Sequence, residues 1–273
     1  MTIKNKKKYT LITGGSGGLG KAFAEECAKR GMNLIIVALP DDNLENTSEY
    51  IKKKYQVNVF TMGINLTEKN APEKIYRFCE QNRLVVNTLI NNAGVTGCTV
   101  FEESSLSYNE LRIQLNIRAL VFLTHLFIPS MKKLDSAFIL NVCSLSAFYS
   151  IPFKSIYSAS KSFVLTFSKA LREELRDSSI QVSLLCPNGI KTNIQSNLRT
   201  DVHGAKGKLF VVPAEKIAET SIEGLLKGKR IIIPGFMNRL LLIFGKIIPE
   251  KLKLKILYNE FKKELNACKK ENE

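Results

Sequence analysis

The fold of this chain is decided near its amino end by residues 9–20, which read YTLITGGSGGLG. An apolar, β-branched run predicts a buried strand at 9–13, and the five glycines that follow predict a turn into a helix from about residue 18. The N-terminus of such a helix offers N–H donors and a positive dipole end to a pyrophosphate, so the stretch predicts a dinucleotide site. We expect Gly14 to form the tight turn, Gly18 to admit the pyrophosphate, and Gly20 to let the helix pack on the strand.

The alternation of strand and helix continues along most of the chain. Short runs rich in β-branched residues alternate with longer amphipathic segments, which is typical of a parallel sheet with helices on both faces. The predicted strands lie at 9–13, 33–38, 57–61, 86–90, 137–143, 180–186 and 230–233, and the predicted helices at 18–30, 44–54, 71–82, 107–133, 155–177 and 214–227. We therefore predict an α/β, Rossmann-type doubly wound sheet of about seven parallel strands in a single domain over residues 1–233, followed by a basic amphipathic helical extension over 234–273.

The composition is that of a globular protein with basic ends. With 45% hydrophobic and 24% charged residues, the chain falls outside the ranges of disordered and collagen-like sequences. Its net charge is +15, but the first eight residues carry four lysines, and the stretch from Lys227 onward carries twelve basic against five acidic residues. Only +4 is left for the body between them, which argues against a nucleic-acid groove, because such a groove clusters basic residues on the folded body.

Neither a metal site nor secretion is predicted. The six cysteines contain no C-x-x-C pair and the chain has two histidines, so no zinc-ligand spacing arises. The lysine-rich N-terminus runs directly into the first strand without an apolar signal segment, which predicts a cytoplasmic protein with free thiols.

Five motifs in a fixed order resemble the short-chain dehydrogenase/reductase family, in particular its carbonyl and 3-oxoacyl reductases. They are the glycine-rich turn itself, Asn91-Asn92-Ala93-Gly94 after the fourth strand, Asn116 within the 107–133 helix, Ser144 thirteen residues before Tyr157-Ser158-Ala159-Ser160-Lys161, and Pro187-Asn188-Gly189-Ile190-Lys191-Thr192 after the sixth strand. The resemblance covers residues 9–192 and implies an NAD(P)-dependent oxidoreductase that acts on a carbonyl or a secondary alcohol.

Tyr157 and Lys161 are predicted to act together in catalysis. They are four residues apart on a helix and so share a face, where the ammonium lowers the pKa of the phenol from about 10 by favouring phenolate. The resemblance implies that Tyr157 exchanges a proton with the substrate oxygen, that Lys161 also bonds the nicotinamide ribose, and that Ser144 donates to the same oxygen. It further implies that Asn116 holds a water linking Lys161 to solvent. Without the family resemblance, each residue also has a purely structural interpretation. The Tyr/Lys pair would lie on an ordinary helix surface, Ser144 would be a hydroxyl at the end of a strand, and Asn116 would be a polar residue that bends its helix.

The resemblance also assigns residues to the cofactor, with three departures from the family pattern. Cys143 stands in place of a second serine, Asn188 in place of a glycine, and Asn65 in place of an aspartate that faces the adenine. Asn tolerates unusual backbone angles, so the turn at Asn188 is expected to survive. The residues implied to contact the cofactor are Gly14, Ser16, Gly18, Leu19, Gly20, Leu39, Asn65, Leu66, Asn92, Ala93, Gly94, Tyr157, Lys161, Pro187, Gly189, Ile190 and Thr192.

The choice between NADP and NAD depends on the end of the second strand. An NAD site carries an acidic residue there, and an NADP site carries basic residues that receive the 2′-phosphate. This chain has Ala38 and Leu39 and so carries neither selector. Because no acid repels the 2′-phosphate at this point, NADP is the preferred cofactor and NAD the alternative, although Asp41 and Asp42 follow closely.

Two segments are expected to enclose the substrate. The resemblance places a mobile lid at 193–212, where His203 fits a solvated loop residue better than a substrate contact, and a moderately apolar wall at 95–106. The tail from Ile231 resembles the extension of family members that act on long acyl or steroid-like ketones, which implies an apolar carbonyl substrate. The family also implies a homo-oligomer formed through the two long helices that follow the fourth and fifth strands.

The tail itself leaves several alternatives open. An apolar stripe with lysines largely off it predicts an amphipathic basic helix, and it consists of Leu254, Leu257, Tyr258, Phe261, Leu265 and Cys268. Such a helix packs on the core or a partner subunit, caps an apolar substrate tunnel, or lies on an anionic membrane. It does not cross a bilayer, because the apolar run 240–248 is far shorter than the roughly 20 residues needed. A non-catalytic dinucleotide sensor and a membrane-surface scaffold remain alternative functions on the same fold.

Overall fold

A seven-stranded parallel sheet forms the centre of the protein. The computed structural model describes residues 7–191 and 209–271. Its strands are β1 (Lys8–Thr13), β2 (Asn33–Ala38), β3 (Val59–Gly63), β4 (Val85–Asn91), β5 (Ala137–Val142), β6 (Ile180–Leu185), β7 (Ile190–Lys191), β8 (Val212–Pro213) and β9 (Ile231–Ile232). The main sheet has the order β3-β2-β1-β4-β5-β6-β9, and β7 pairs with β8 in a small separate sheet. The predicted doubly wound sheet is therefore confirmed.

Helices cover both faces of this sheet. They are α1 (Gly18–Lys29), α2 (Asp42–Tyr55), α3 (Ala71–Gln81), α4 (Leu106–Ile113), α5 (Ala119–Met131), α6 (Ser155–Glu174), α7 (Ala214–Leu226), α8 (Phe236–Ile247) and α9 (Glu250–Glu271). The apolar sides of α1, α2 and α7 pack on one face of the sheet, and those of α3, α5 and α6 on the other. Strands buried from both sides must be apolar throughout, which explains the continuous run NLIIVA in β2.

The strand order reverses between β1 and β4, which run side by side. Helices that leave neighbouring strands toward opposite faces open a crevice at the carboxyl ends of those strands. The glycine-rich turn follows β1 and the Asn91-Asn92-Ala93-Gly94 motif begins at the end of β4, so both motifs border that crevice. The topology thus fixes where a ligand can bind.

The helix predicted at 107–133 is observed as a continuous helical run, Leu106–Met131. Within it, α4 and α5 are joined by a π-helical turn at Gln114–Arg118, which the sequence did not predict. Asn116, inside the π turn, turns its buried side chain away from the helix and bonds the backbone of Val95. A side chain that reaches out to another segment favours one widened turn, and such turns are frequent at functional sites.

One other difference from the sequence predictions has a local cause. The strand predicted at 57–61 lies at Val59–Gly63, because Gln56 ends α2 in the left-handed conformation with φ of 55° and the next residues complete the turn.

Among the described residues, the helical run Leu106–Met131 is long and apolar enough to cross a membrane. Its residues Leu123, Phe127 and Met131 are buried against the sheet, as in the core helix of a soluble fold.

Candidate active site

The glycine-rich turn between β1 and α1 is held in a shape that side chains would prevent. Gly14 and Gly18 have φ of 65° and 50°, in the left-handed region that favours glycine. A Cβ on Gly20 would stand only 1.9 Å from the carbonyl oxygen of Gly14. The tight turn at Gly14 and the close packing at Gly20 are therefore as expected from the sequence.

Asn92 links this turn to the end of β4. Its side-chain amide donates to the carbonyl oxygens of Thr13, at 2.9 Å, and Gly14, at 3.2 Å. The Thr13 hydroxyl oxygen in turn accepts from the backbone N–H groups of Asn92 and Ala93, each at 3.0 Å. The preceding Asn91 faces the other way, since its amide donates to Thr124 and Asn141 in the protein interior. Of the paired asparagines, Asn92 thus belongs to the crevice and Asn91 to the core.

The residues around the turn fit a pyrophosphate. Helix α1 begins at Gly18, and the N-cap residue before it, Gly17, is extended and has no side chain that could occupy the N–H groups of the first turn. A Cβ on Gly17 would meet nothing within 4 Å, and both Gly17 and Gly18 are exposed. An open, uncapped helix N-terminus of this kind favours a bound anion. Leu19 is buried in the core, so only its backbone can contribute.

The adenosine side of the crevice is less polar. At the end of β2, Ala38 is buried and Leu39 is 57% exposed. The Asp41 carboxylate caps α2 by accepting from Leu44 N–H at 3.1 Å, which gives this acid a structural role. After β3, the Asn65 side-chain oxygen accepts from both the N–H and the hydroxyl of Thr67. Leu66 is buried in the core, so its side chain does not face the crevice.

Lys161 lies at the centre of the site, on the second turn of α6. Its side chain is buried, its Nζ donates to the carbonyl oxygen of Val142 at 2.9 Å, and Nζ lies 5.9 Å from the ring centre of Tyr157. Burial lowers the pKa of Lys161 below its usual value, while attraction to the sulfurs of Cys143 and Cys186 acts in the opposite direction. In the i,i+4 pair predicted from the sequence, Lys161 is therefore buried and Tyr157 is half-buried.

Asn116 meets Lys161 across the backbone of Gly94. A Cβ added to Gly94 would lie 3.0 Å from the Asn116 side-chain oxygen and 3.5 Å from Lys161 Nζ. Asn116 accepts from Val95 N–H at 2.8 Å and donates to the Val95 carbonyl oxygen at 2.9 Å and to the Ser160 hydroxyl at 3.2 Å. Both polar atoms of the Asn116 side chain are thus in hydrogen bonds. Its role in holding a water stays a prediction, in which the backbone of Asn116 would bind the water.

Ser144 lies two residues after β5 and caps a short 3₁₀ turn, Leu145–Phe148. Its hydroxyl oxygen accepts from Ser146 N–H at 3.1 Å, which leaves the hydroxyl proton available to a substrate oxygen. Cys143, beside it, is buried, and its thiol donates to the backbone oxygen of Lys161 at 3.2 Å. The cysteine that replaces the expected serine thus acts in packing, behind the reactive groups.

The C-terminal helices close one side of the site, a feature that the sequence indicated only as one of several alternatives. The Phe153 and Tyr258 rings lie 5.3 Å apart, and the Cys98 thiol lies 3.7 Å from the Phe261 carbonyl oxygen. Lys154, just before α6, pairs with Glu264 of α9 at 2.8 Å. These contacts join α9 to the 95–106 wall and to the segment that leads into Tyr157.

The sequence did not predict three residues that hold the C-terminal helices against the catalytic domain, Glu264, Lys154 and Asn238. The Glu264 side chain is only 2% exposed, and a buried ion pair is costly unless its geometry is good, so this contact fixes the position of α9. Asn188 donates to the Asn238 side-chain oxygen at 3.1 Å, which anchors the start of α8 beside the turn after β6. The one feature of the sequence that could have indicated this ion pair is the charged Glu264, which is next to Leu265 of the apolar stripe of α9.

Some of the predicted residues lie outside the described residues, namely Thr192, His203 and most of the 193–212 lid.

Comparisons with known proteins agree with this geometry. A family model for short chain dehydrogenases matches residues 8–203. A very-long-chain 3-oxoacyl-CoA reductase of Macaca fascicularis is 31% identical over 215 residues, covering 77% of this chain and 68% of that protein. Human 17-beta-hydroxysteroid dehydrogenase type 3 is 30% identical over 240 residues, covering 86% and 76%. A short-chain dehydrogenase from Sphingobium yanoikuyae, solved with NADPH, has a TM-score of 0.76 at 28% identity, covering 88% of this chain and 93% of that chain.

Proposed function

The chain belongs to the short-chain dehydrogenase/reductase family of NAD(P)-dependent oxidoreductases, and from that premise we propose that it reduces the carbonyl group of an apolar substrate, or oxidises the corresponding secondary alcohol. The observation that carries this proposal is the convergence of Lys161, Asn116 and Gly94 beside Tyr157, at the crevice that the glycine-rich turn borders. A dinucleotide bound there supplies or accepts the hydride. The residues proposed to hold it are those named from the sequence, with the α1 N-terminus taking the pyrophosphate.

The chain's own residues manage the proton. Tyr157 gives its phenolic proton to the carbonyl oxygen, or takes it back in the alcohol direction. The Lys161 ammonium is buried and favours negative charge on the nearby phenolic oxygen. Ser144 donates a hydrogen bond to the same substrate oxygen and so stabilises the charge that develops there. In this arrangement Tyr157 is the general acid. Lys161 sets the acid strength of its phenol, and Ser144 positions the substrate oxygen.

The proposed substrate is an apolar ketone, of a long acyl chain or a steroid-like body. Contacts from α9 to the 95–106 wall and to Phe153 support an apolar lining. Among its relatives, one is named for a very-long-chain 3-oxoacyl-CoA and another for a hydroxysteroid. Both names describe an oxygen function on a large apolar group, an acyl chain in one and a steroid in the other.

A series of straight-chain methyl ketones of increasing length tests this substrate class. We expect kcat/KM to rise with chain length, by up to about fourfold for each methylene that becomes buried in the site. Oxidation of NADPH and of NADH, followed by absorbance, measures both cofactors in the same series. Polar hydroxyketones of matched length are the control, and rates that favour them, or that do not change with length, would contradict an apolar site.

NADP is the cofactor that we propose the chain prefers. At the end of β2, Ala38 stands in the position of the acidic selector and exposed Leu39 in the position of the basic one, so no acid there repels the 2′-phosphate. The nearby Asp41 carboxylate is occupied as the α2 cap. Leu39→Asp is therefore expected to weaken NADPH binding by about tenfold, through like-charge repulsion, with little effect on NADH. Fluorescence titration of both cofactors measures this, and the uncharged Leu39→Asn is the matched control. An equal change for NADH and NADPH would place the 2′-phosphate elsewhere.

We further propose that two copies of the chain associate through the α4–α5 segment and α6. Large apolar side chains are exposed there, namely Leu111, Ile113, Phe122 and Phe163. Phe163 stacks on Phe167 at 5.9 Å, which makes part of this face flat. Exposed apolar area on neighbouring helices is typical of an interface between subunits.

A further inference from the structure

Helix α8 presents an apolar face to solvent. Phe236, Ile243, Phe244 and Ile247 are 70%, 57%, 59% and 74% exposed. Their spacing places them along one side of the helix, and we call this set the α8 face. Single exposed apolar residues are ordinary, but four on a helix of twelve residues form a patch of the kind that marks an interaction surface.

The opposite side of α8 is fixed to the body of the protein. Asn238 is 1% exposed, and its amide donates to the carbonyl oxygens of Pro234, at 2.9 Å, and Phe210, at 3.1 Å. The Tyr149 hydroxyl donates to the Leu241 carbonyl oxygen at 3.2 Å and lies close against Gly245. Because these contacts set the rotation of the helix, the α8 face points outward as a consequence of packing.

The sequence on both sides of this face is rich in basic residues. Between Lys227 and Pro249 it has five basic residues and no acidic residue, of which Lys227 and Arg230 pair with glutamates of the catalytic domain. The first turns of α9 add exposed Lys251 and Lys255, beside Leu252 and Ile256, which are 51% and 46% exposed. Exposed apolar side chains flanked in sequence by cations complement the surface of an anionic bilayer, where acyl chains lie beneath negative headgroups.

We propose that the α8 face docks on an anionic membrane surface, with its four apolar side chains below the headgroups and the neighbouring cations among them. Twelve helical residues span only about 18 Å, too short to cross the roughly 30 Å hydrocarbon core, so the helix lies in the plane of the interface. Only the carboxyl-terminal part of the α9 stripe packs on the catalytic domain, where Leu265 is buried, whereas Leu254 and Tyr258 are 37% and 43% exposed. We therefore assign the membrane contact, one of the alternatives left open by the sequence, to α8.

This docking would place the substrate side of the protein next to the bilayer. Tyr149 and Asn188, which hold α8, belong to the segments that lead from β5 and β6 into the candidate active site. A membrane-dissolved ketone would then reach the site without crossing water. This last step rests on the proposed function, whereas the docking itself does not.

Co-sedimentation of the full chain with vesicles tests the docking. We expect binding to vesicles of phosphatidylcholine with phosphatidylserine at low salt, and weak binding to phosphatidylcholine alone. The double variant Phe244→Ser with Ile247→Ser is expected to lose at least about tenfold in partitioning, because it removes two inserted side chains. Lys251→Gln and Lys255→Gln are each expected to cost about fivefold, and raised salt should act in the same direction.

The control is a pair of exposed apolar residues outside the tail and outside the proposed site, Tyr50→Ser with Leu226→Ser, which should sediment like the wild type. Reduction of a water-soluble ketone is followed in every variant, so that loss of docking is distinguished from loss of the proposed activity. If the wild type does not sediment with anionic vesicles, or if the α8 variant changes only the oligomeric state, the proposal is overturned. In the second case the α8 face would be a contact between copies of the chain.

Discussion

Tyr157→Phe is expected to reduce kcat for carbonyl reduction by at least about a hundredfold, and by up to about ten-thousandfold. The substitution keeps the ring that packs near Lys161 and removes the phenolic proton at the centre of the proposed site. General acid catalysis contributes about this much when the group is well positioned. Dinucleotide binding should change little, because the proposed pyrophosphate site at α1 is untouched.

Steady-state rates and a cofactor titration on the same preparation measure the two effects. Tyr50→Phe, an exposed tyrosine on α2, is the matched control and should retain wild-type rates. Turnover by Tyr157→Phe within a few fold of the wild type would disprove the proposed acid. If the wild type binds dinucleotide but reduces no carbonyl in the ketone series, the non-catalytic sensor becomes the better account.

Gly20→Ala is expected to have the second large effect, on both stability and cofactor affinity. The added methyl would stand 1.9 Å from the Gly14 carbonyl oxygen and 2.7 Å from Asn92 Nδ2, and a backbone atom cannot move aside as a flexible side chain can. Overpacking of this kind costs about 3 kcal/mol, which for a chain of this size lowers Tm by roughly 6–12 °C. The turn that should hold the pyrophosphate would be displaced, so dinucleotide affinity should fall by more than about tenfold.

Thermal unfolding with and without dinucleotide follows both consequences. Gly17→Ala is the control for stability, because a Cβ at that position meets nothing within 4 Å and the backbone is already extended. Its Tm should stay within a degree or two of the wild type, by the usual scale for neutral surface changes. A Gly20→Ala protein with unchanged Tm and unchanged dinucleotide affinity would show that the packing of α1 on the turn is unimportant.

The sequence by itself determined the sheet, its layers and the position of the nucleotide turn. Those features follow from local rules. Strands buried on both faces need uninterrupted apolar residues, as in β2, and left-handed backbone at Gly14 and Gly18 favours residues without a Cβ. The pairing of Tyr157 with Lys161 could be predicted from the sequence for the same reason, since residues four apart on a helix share a face.

Only the tertiary structure decided how distant segments meet. Asn116 lies in a widened helical turn where its side chain bonds Val95, and Glu264 is buried because Lys154 faces it from 110 positions away. Both contacts depend on the crossovers that bring separate elements to one edge of the sheet, and helical periodicity carries no information about a partner so remote. The periodicity of the tail likewise left open whether its apolar residues face protein or solvent. Packing decided it, because Tyr149, Asn188 and the Lys154–Glu264 pair fix the rotation of α8 and α9, burying Leu265 and leaving Phe244 and Ile247 exposed.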